Sequence, residues 1–178
     1  MDRTSQGRII RFHHIVVMKK RISKSVIFAS LFGIGFIPFA PGSFGSIAAY
    51  GLYLLIPPWL CFPDCSLALP LLVIGISLAS VVISTYAEKR LGRDASSIVI
   101  DELCGYFVAI LFLPHNWLIG LYALVLFRVF DIAKPYPIFH SQDFPGGWGV
   151  VIDDMLAGVY ANISLQILIR IFPSFFGL

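Results

Sequence analysis

Six acidic residues stand in or beside the most apolar parts of this chain: Asp94, Asp101, Glu102, Asp131, Asp153 and Asp154. A carboxylate at the centre of an apolar membrane helix costs about 2.5–3.5 kcal/mol, so a cluster of them needs partners. Protein cations nearby are scarce. Arg128 shares a helical face with Asp131, three residues on, and Lys134 adds a second positive charge. Four negative charges are left over, of which Arg90 and Arg93 are placed to take some. One or two divalent cations would balance the rest, and an all-oxygen donor set favours magnesium or manganese over zinc. Asp101 and Glu102 are adjacent, as are Asp153 and Asp154, so the members of each pair lie about 100° apart on a helix. Each pair should split into one inward and one flanking carboxylate. Taken singly, a pair reads equally well as acids near a helix start, where negative charge is favourable. Three separate apolar segments carrying acids at the same end favour a shared site.

Anion-binding groups accompany the acids. Pro41-Gly42-Ser43-Phe44-Gly45-Ser46 opens an expected helix, whose free N–H groups and positive dipole end suit a phosphate. The motif lacks the lysine of a nucleotide-binding loop, and a plain turn with Ser43 or Ser46 as the helix cap is the simpler reading. Arg128 either clamps a phosphate with two hydrogen bonds or pairs with Asp131. Gly146-Gly147-Trp148-Gly149 reads as a flexible entrance to the next helix or as substrate access. An anion held there, beside six acids, would need cations to bridge them. Other chemistries drop out. Cys61, Cys65 and Cys104 form no CxxC pair, His13 and His14 are adjacent, and His115 and His140 stand alone, which argues against zinc and against a disulfide framework. No cysteine is followed six positions on by arginine, as a cysteine-phosphatase loop requires.

The elements that must carry these residues are apolar helices. Of 178 residues, 58% are hydrophobic and 13% charged, against about 25% charged in a soluble domain. Mean hydropathy is +0.86. This excludes a disordered chain and points to an all-α, membrane-associated bundle of about five to six helices. The net charge of +3 is unevenly spread: residues 1–24 hold seven basic residues and one acid, and residues 25–178 hold six and nine. The head is thus a basic extension suited to an anionic lipid surface, ahead of a single helical domain over 25–178. It is too poor in aromatics and too unstructured a pattern for nucleic acid, and it does not read as a cleaved signal peptide. Met18, just before Lys19, Lys20 and Arg21, is a second candidate start.

Four runs contain no Asp, Glu, Lys or Arg: 25–63, 65–87, 103–127 and 155–169. About 20 apolar residues span a bilayer. The first run is too long for one crossing and is expected to break at Pro38 and Pro41-Gly42-Ser43, giving a re-entrant or interfacial N-terminal helix and then a helix over about 46–60. Further crossings are expected over about 67–87, 99–113, 117–127 and 150–170, with a turn at Pro114-His115-Asn116. With the head in the cytoplasm, Lys89, Arg90 and Arg93 fall inside, as does every acid of the cluster, although Arg170 falls outside. The site is thereby expected at the cytoplasmic face of the inner membrane. The connection over about 135–149, rich in Pro, Gly and aromatics, is expected to form a lid or wall.

Ala40-Pro41-Gly42-Ser43-Phe44-Gly45-Ser46, Ile98-Val99-Ile100-Asp101-Glu102 with Gly105, Phe127-Arg128 through Asp131 to Lys134-Pro135-Tyr136-Pro137, and Gly146-Gly147 through Ile152-Asp153-Asp154 to Ala157-Gly158 resemble phosphatidylglycerophosphatase A in the order in which they occur. The resemblance covers about residues 25–170. It implies a small helical Mg2+-dependent enzyme that takes phosphatidylglycerophosphate from the bilayer and removes its terminal phosphate to give phosphatidylglycerol. It also implies that Asp101, Glu102, Asp131, Asp153 and Asp154 carry metal and catalysis, with Arg128 and Lys134 on the phosphate and Gly42, Ser43, Gly45 and Ser46 beside it. A membrane cation transporter and a lipid phosphotransferase are the alternatives. The first would place its acids near the membrane midplane, and the second would carry a compact run of aspartates that is missing here. Oligomeric state is left open.

Overall fold

A computed structural model describes residues 23–61, 67–93, 95–141 and 144–178, with the backbone alone for His140. The basic head up to residue 22, Asp94 and Cys65 lie outside the described residues. The α-helices are α1 (Lys24–Ala29), α2 (Pro41–Leu55), α3 (Ala68–Leu91), α4 (Ile100–Ala109), α5 (Trp117–Ala133), α6 (Ile138–Ser141) and α7 (Gly147–Ile171). Short 3-10 turns lie at Ile34–Phe36, Pro58–Leu60 and Pro173–Phe176, and the described residues contain no strand.

The centre of the bundle is α4. Every residue from Ile100 to Ala109 is buried, with α7, α2, α3 and α5 packed around it. At 1.5 Å per residue α4 is about 15 Å long, half the thickness of a hydrocarbon core. The crossing expected over 99–113 is therefore a core helix: its apolar residues face other helices. Two other expectations are corrected. The chain does break between Phe36 and Pro41, but α2 begins at Pro41 itself and ends at Leu55, about five residues ahead of the helix expected over 46–60, because proline at the first helical position gives up only an N–H that lacks a partner in any case. And α5 continues past Phe127 to Ala133, so Arg128 and Asp131 belong to a helix and Lys134, in left-handed backbone with φ 41°, ends it.

At the N-terminus, Ser23 caps α1 by accepting from the Val26 N–H. The helix lasts six residues and ends in a turn where Leu31, Phe32 and Gly33 all have positive φ. The Ser30 hydroxyl stabilises that turn, accepting from the Gly33 N–H at 3.1 Å. The helix expected up to Pro38 is thus replaced by a helix, a turn and a 3-10 segment, whose Phe28, Phe32, Phe36 and Phe39 are exposed. That exposed aromatic edge suits an interfacial element. At the far end of the bundle, Asn116 caps α5 by accepting from Leu118 N–H at 2.8 Å and donates to the Phe176 carbonyl at 3.0 Å. Cys61 and Cys104 are free and buried.

Two described helices, α3 and α7, are long and apolar enough to cross a membrane. They differ in use. α3 exposes Leu71, Ile74, Leu78 and Val82, while α7 buries half of its apolar stretch against the rest of the bundle. α7 comes close to α4 at Gly105 and Gly158: a side chain on Gly158 would run into the Gly105 carbonyl, and one on Gly105 into the Phe127 ring and the Asp154 carbonyl. Gly158→Ala is expected to lower stability by about 1–3 kcal/mol through overpacking, despite alanine's better helix propensity. Gly75→Ala, on open surface of α3, is expected to raise it by up to about 1 kcal/mol. Thermal unfolding in detergent reads both, and equal signs for the two would contradict this packing.

Candidate active site

Four helix ends meet on one side of the bundle. The first turn of α4 supplies Asp101 and Glu102, where the helix dipole favours acids. The last turns of α5 supply Arg128 and Asp131, with Lys134 next to them, and the second turn of α7 supplies Asp153 and Asp154. The start of α2 brings Gly42, Ser43, Gly45 and Ser46. Every sequence-predicted site residue that is described lies in this region.

Arg128 holds the cluster together. Its Nη1 donates to both carboxylate oxygens of Glu102 at 2.7 Å and to Asp131 Oδ2 at 2.8 Å. Lys134 Nζ donates to Asp153 Oδ2 at 2.6 Å, and Asp153 Oδ1 accepts the Asp154 backbone N–H at 3.1 Å. Asp154 lies within electrostatic reach of Asp101, Glu102, Asp131 and Asp153. Asp101, Glu102, Asp153 and Asp154 are all buried, so neither adjacent pair splits into an inward and an exposed member. Five carboxyls face two cations. Two carboxylate oxygens, Asp101 Oδ1 and Asp154 Oδ2, are buried with no hydrogen-bond partner.

The electrostatics follow. Burial, and then the neighbouring Glu102 and Asp153, push the Asp101 carboxyl well above its ordinary range. Burial pushes Glu102 up to about 7 against the pull of Arg128. For Lys134, burial works against the charged form, but the Asp153 hydrogen bond and charge outweigh it and its pKa ends above the ordinary value. Among the described residues no three Asp, Glu, His or Cys side chains form a ready metal cage. The two partnerless oxygens nonetheless fit an oxygen-seeking divalent cation, which would satisfy them and offset the excess charge.

The α2 segment does more than the phosphate reading foresaw. Ser46 is no cap: Ala40 occupies the cap position without a side-chain bond, and the buried Ser46 hydroxyl lies 2.7 Å from Glu102 Oε2 and 3.0 Å from the Gly42 carbonyl. A side chain on Gly42 would collide with Glu102 Oε1, so glycine there lets α2 approach the carboxylate. Ser43 remains partly exposed beside Arg128. The described part of the connection before α7 packs against the bundle. Tyr160 donates to the Tyr136 carbonyl at 2.9 Å, and Gly147 N–H donates to Thr85 Oγ1 at 3.0 Å. One feature escaped sequence reasoning: Ser77, Ser80 and Ser84 form a buried polar stripe on α3, with Cys104 Sγ 3.1 Å from Ser80 Oγ. Their spacing of three and four along an apolar helix was the available signal.

An apolar helical bundle with an acid-rich, cation-paired cluster at one end defines a membrane-associated protein with its polar site at the ends of its helices. The chain belongs to the phosphatidylglycerophosphatase A family, which it matches over residues 27–169, and it is a phosphatase by that membership. It is 34% identical to phosphatidylglycerophosphatase A of Escherichia coli over 153 residues, 82% of this chain and 86% of the relative. The Haemophilus influenzae protein of that name is 35% identical over 140 residues, 74% and 80% of the two chains. A Bacteroides thetaiotaomicron protein, provisionally named a phosphatidylinositol-3-phosphatase, is 35% identical over 158 residues, 84% and 96%. No solved structure matches.

Asp101 and Glu102 hold protons to higher pH when folded, so between the ordinary carboxyl value near 4.5 and about 7 the folded state binds more protons than the unfolded chain. Stability contributed this way is present below that window and lost as pH rises through it. In EDTA, the unfolding midpoint is expected to fall between about pH 5 and 7, and Glu102→Gln should flatten that slope whatever it does to the midpoint itself. A midpoint that rises with pH over this range would contradict the assignment.

Proposed function

We propose that this protein hydrolyses the terminal phosphate of phosphatidylglycerophosphate, giving phosphatidylglycerol and inorganic phosphate, with magnesium, at the cytoplasmic face of the inner membrane. The observation that carries the reading is the cluster itself: Arg128 and Lys134 held among five carboxyls, two of which keep a buried oxygen without a partner. Family membership and the named relatives support the substrate. The acids lie at the ends of the helices and not along their middles, which leaves the transporter alternative without support, and the phosphotransferase alternative has none from the family.

The residues suggest a division of roles. The substrate's phosphate dianion draws Arg128 from Glu102 and Asp131, and Lys134 from Asp153, replacing carboxylate oxygens with phosphate oxygens around each cation. Asp101 and Asp154 would hold magnesium, which supplies Lewis-acid stabilisation of the charge developing on the phosphoryl oxygens. A carboxylate of the cluster takes a proton of the attacking water as its oxygen bonds to phosphorus; the bond from phosphorus to the glycerol oxygen breaks, and that oxygen leaves with the electron pair and takes up a proton from solvent or from a protonated carboxyl of the cluster to give the alcohol. Ser46 and Gly42 hold the Glu102 carboxylate in place against α2.

Purified protein in mixed micelles is expected to release phosphate from phosphatidylglycerophosphate with magnesium and not in EDTA. Asp101→Asn and Asp154→Asn should each lower kcat about 100-fold or more. Phosphatidylinositol 3-phosphate serves as the comparison substrate, and faster release from that lipid, or none from either, would overturn the reading.

A further inference from the structure

Three of the buried side-chain atoms that lack a hydrogen-bond partner come from three different helices: Ser84 Oγ on α3, Asp101 Oδ1 on α4 and Asp154 Oδ2 on α7. Ser84 is fully enclosed, and both acids are more than nine-tenths buried. The packing of the helices brings the three to one level. α3 and α4 run antiparallel, since Ala87 shares an apolar cluster with Ile98 and Ile100 while Ser80, two turns earlier, lies 3.1 Å from Cys104. Ser84 sits between those two points on α3, and Asp101 sits between the matching points on α4. α7 enters at the same place. Its Gly147 N–H donates to Thr85 Oγ1 at 3.0 Å, and Val151, on the same helical face as Asp154, packs in a cluster with Val81 and Cys104.

A buried helical hydroxyl has an ordinary outlet that Ser84 does not use. Thr85, its neighbour, donates to the Val81 carbonyl one turn back at 2.7 Å, and Ser46 reaches the Gly42 carbonyl in the same way at 3.0 Å. The Ser84 hydroxyl bonds neither to its own helix nor to a carboxylate. One neutral and two acidic oxygens, buried at one level and none bonded to another, suit a small divalent ion that takes a lone pair from each. We propose that Ser84 Oγ is a third protein ligand of the divalent cation that Asp101 and Asp154 would hold. The cation itself rests on the proposed magnesium-dependent reading; the ligand from α3 is additional to it. The helix that shows Leu71, Ile74, Leu78 and Val82 on its outer face thereby adds one oxygen to the site from its inner face.

Manganese binding to the purified full chain in detergent, with no lipid substrate present, tests the ligand apart from turnover. The wild-type chain is expected to take up Mn2+, read as loss of the free ion's electron paramagnetic resonance signal, and to release it to excess Mg2+. Ser84→Ala should weaken that binding about tenfold or more. Ser77→Ala removes another buried, partnerless hydroxyl two turns further along α3, away from Asp101, and should leave the binding unchanged. Thermal unfolding separates a ligand from a packing residue. In EDTA, Ser84→Ala should unfold no lower than the wild-type chain, because an unsatisfied hydroxyl is lost, while the rise brought by Mg2+ shrinks. Unchanged Mn2+ affinity in Ser84→Ala, an equal loss in Ser77→Ala, or a lower midpoint in EDTA would each overturn the proposal. A wild-type chain that binds Mn2+ through Ser84 but releases no phosphate from phosphatidylglycerophosphate would keep the ligand and sink the phosphatase reading. Phosphate release with a Mn2+ affinity indifferent to Ser84 would sink the ligand alone.

Discussion

The acid cluster depends first on one guanidinium. Arg128 bonds to both oxygens of Glu102 on α4 and to Asp131 on its own helix, so a single side chain ties α5 to the central helix and neutralises acids that are costly to bury. Lys134 ties the end of α5 to α7 through Asp153 in the same way. The two cations leave the cluster short of positive charge. A structure optimised for stability alone would replace such acids with apolar side chains of similar size. Their presence, with two oxygens kept partnerless, marks a place where an additional cation or a charged substrate changes the balance.

Close backbone approach makes the cluster possible. Gly105 and Gly158 bring α4 against α7, and Gly42 lets α2 reach Glu102. These contacts set the positions of the helix ends and hence of the carboxylates. Ser46 adds the hydrogen bond that an isolated apolar helix could not provide. Packing and electrostatics are therefore one problem here: a side chain added at any of these glycines meets backbone or a site carboxylate.

Much of the site was legible because acids in apolar sequence are conspicuous, and their cost forces them to a common partner. Asp101, Glu102, Asp131, Asp153 and Asp154, together with Arg128 and Lys134, could be picked out before any coordinates. The length and apolarity of α3 and α7 were equally plain. The depth of α4 was not, because the run from Leu103 to Leu113 is apolar throughout, and hydropathy cannot tell a residue that faces lipid from one that faces another helix. The break before α2 was legible from its prolines, but the first residue of the helix was not, because proline can either break a helix or begin one. Ser46 was assigned to a cap or a phosphate by local motif, while its real partner lies 56 positions away in the chain.

The full enclosure of α4 has a consequence for which substitutions this chain can absorb. The helix that carries Asp101 and Glu102 never meets the bilayer, and the helix that displays Leu71, Ile74, Leu78 and Val82 contributes none of the described acids of the cluster. Tenancy in lipid and the reactivity of these acids are thus assigned to different helices. An apolar exchange at an outer position leaves the carboxylates where they are, whereas an exchange at an inner one disturbs a crowded, charged interior.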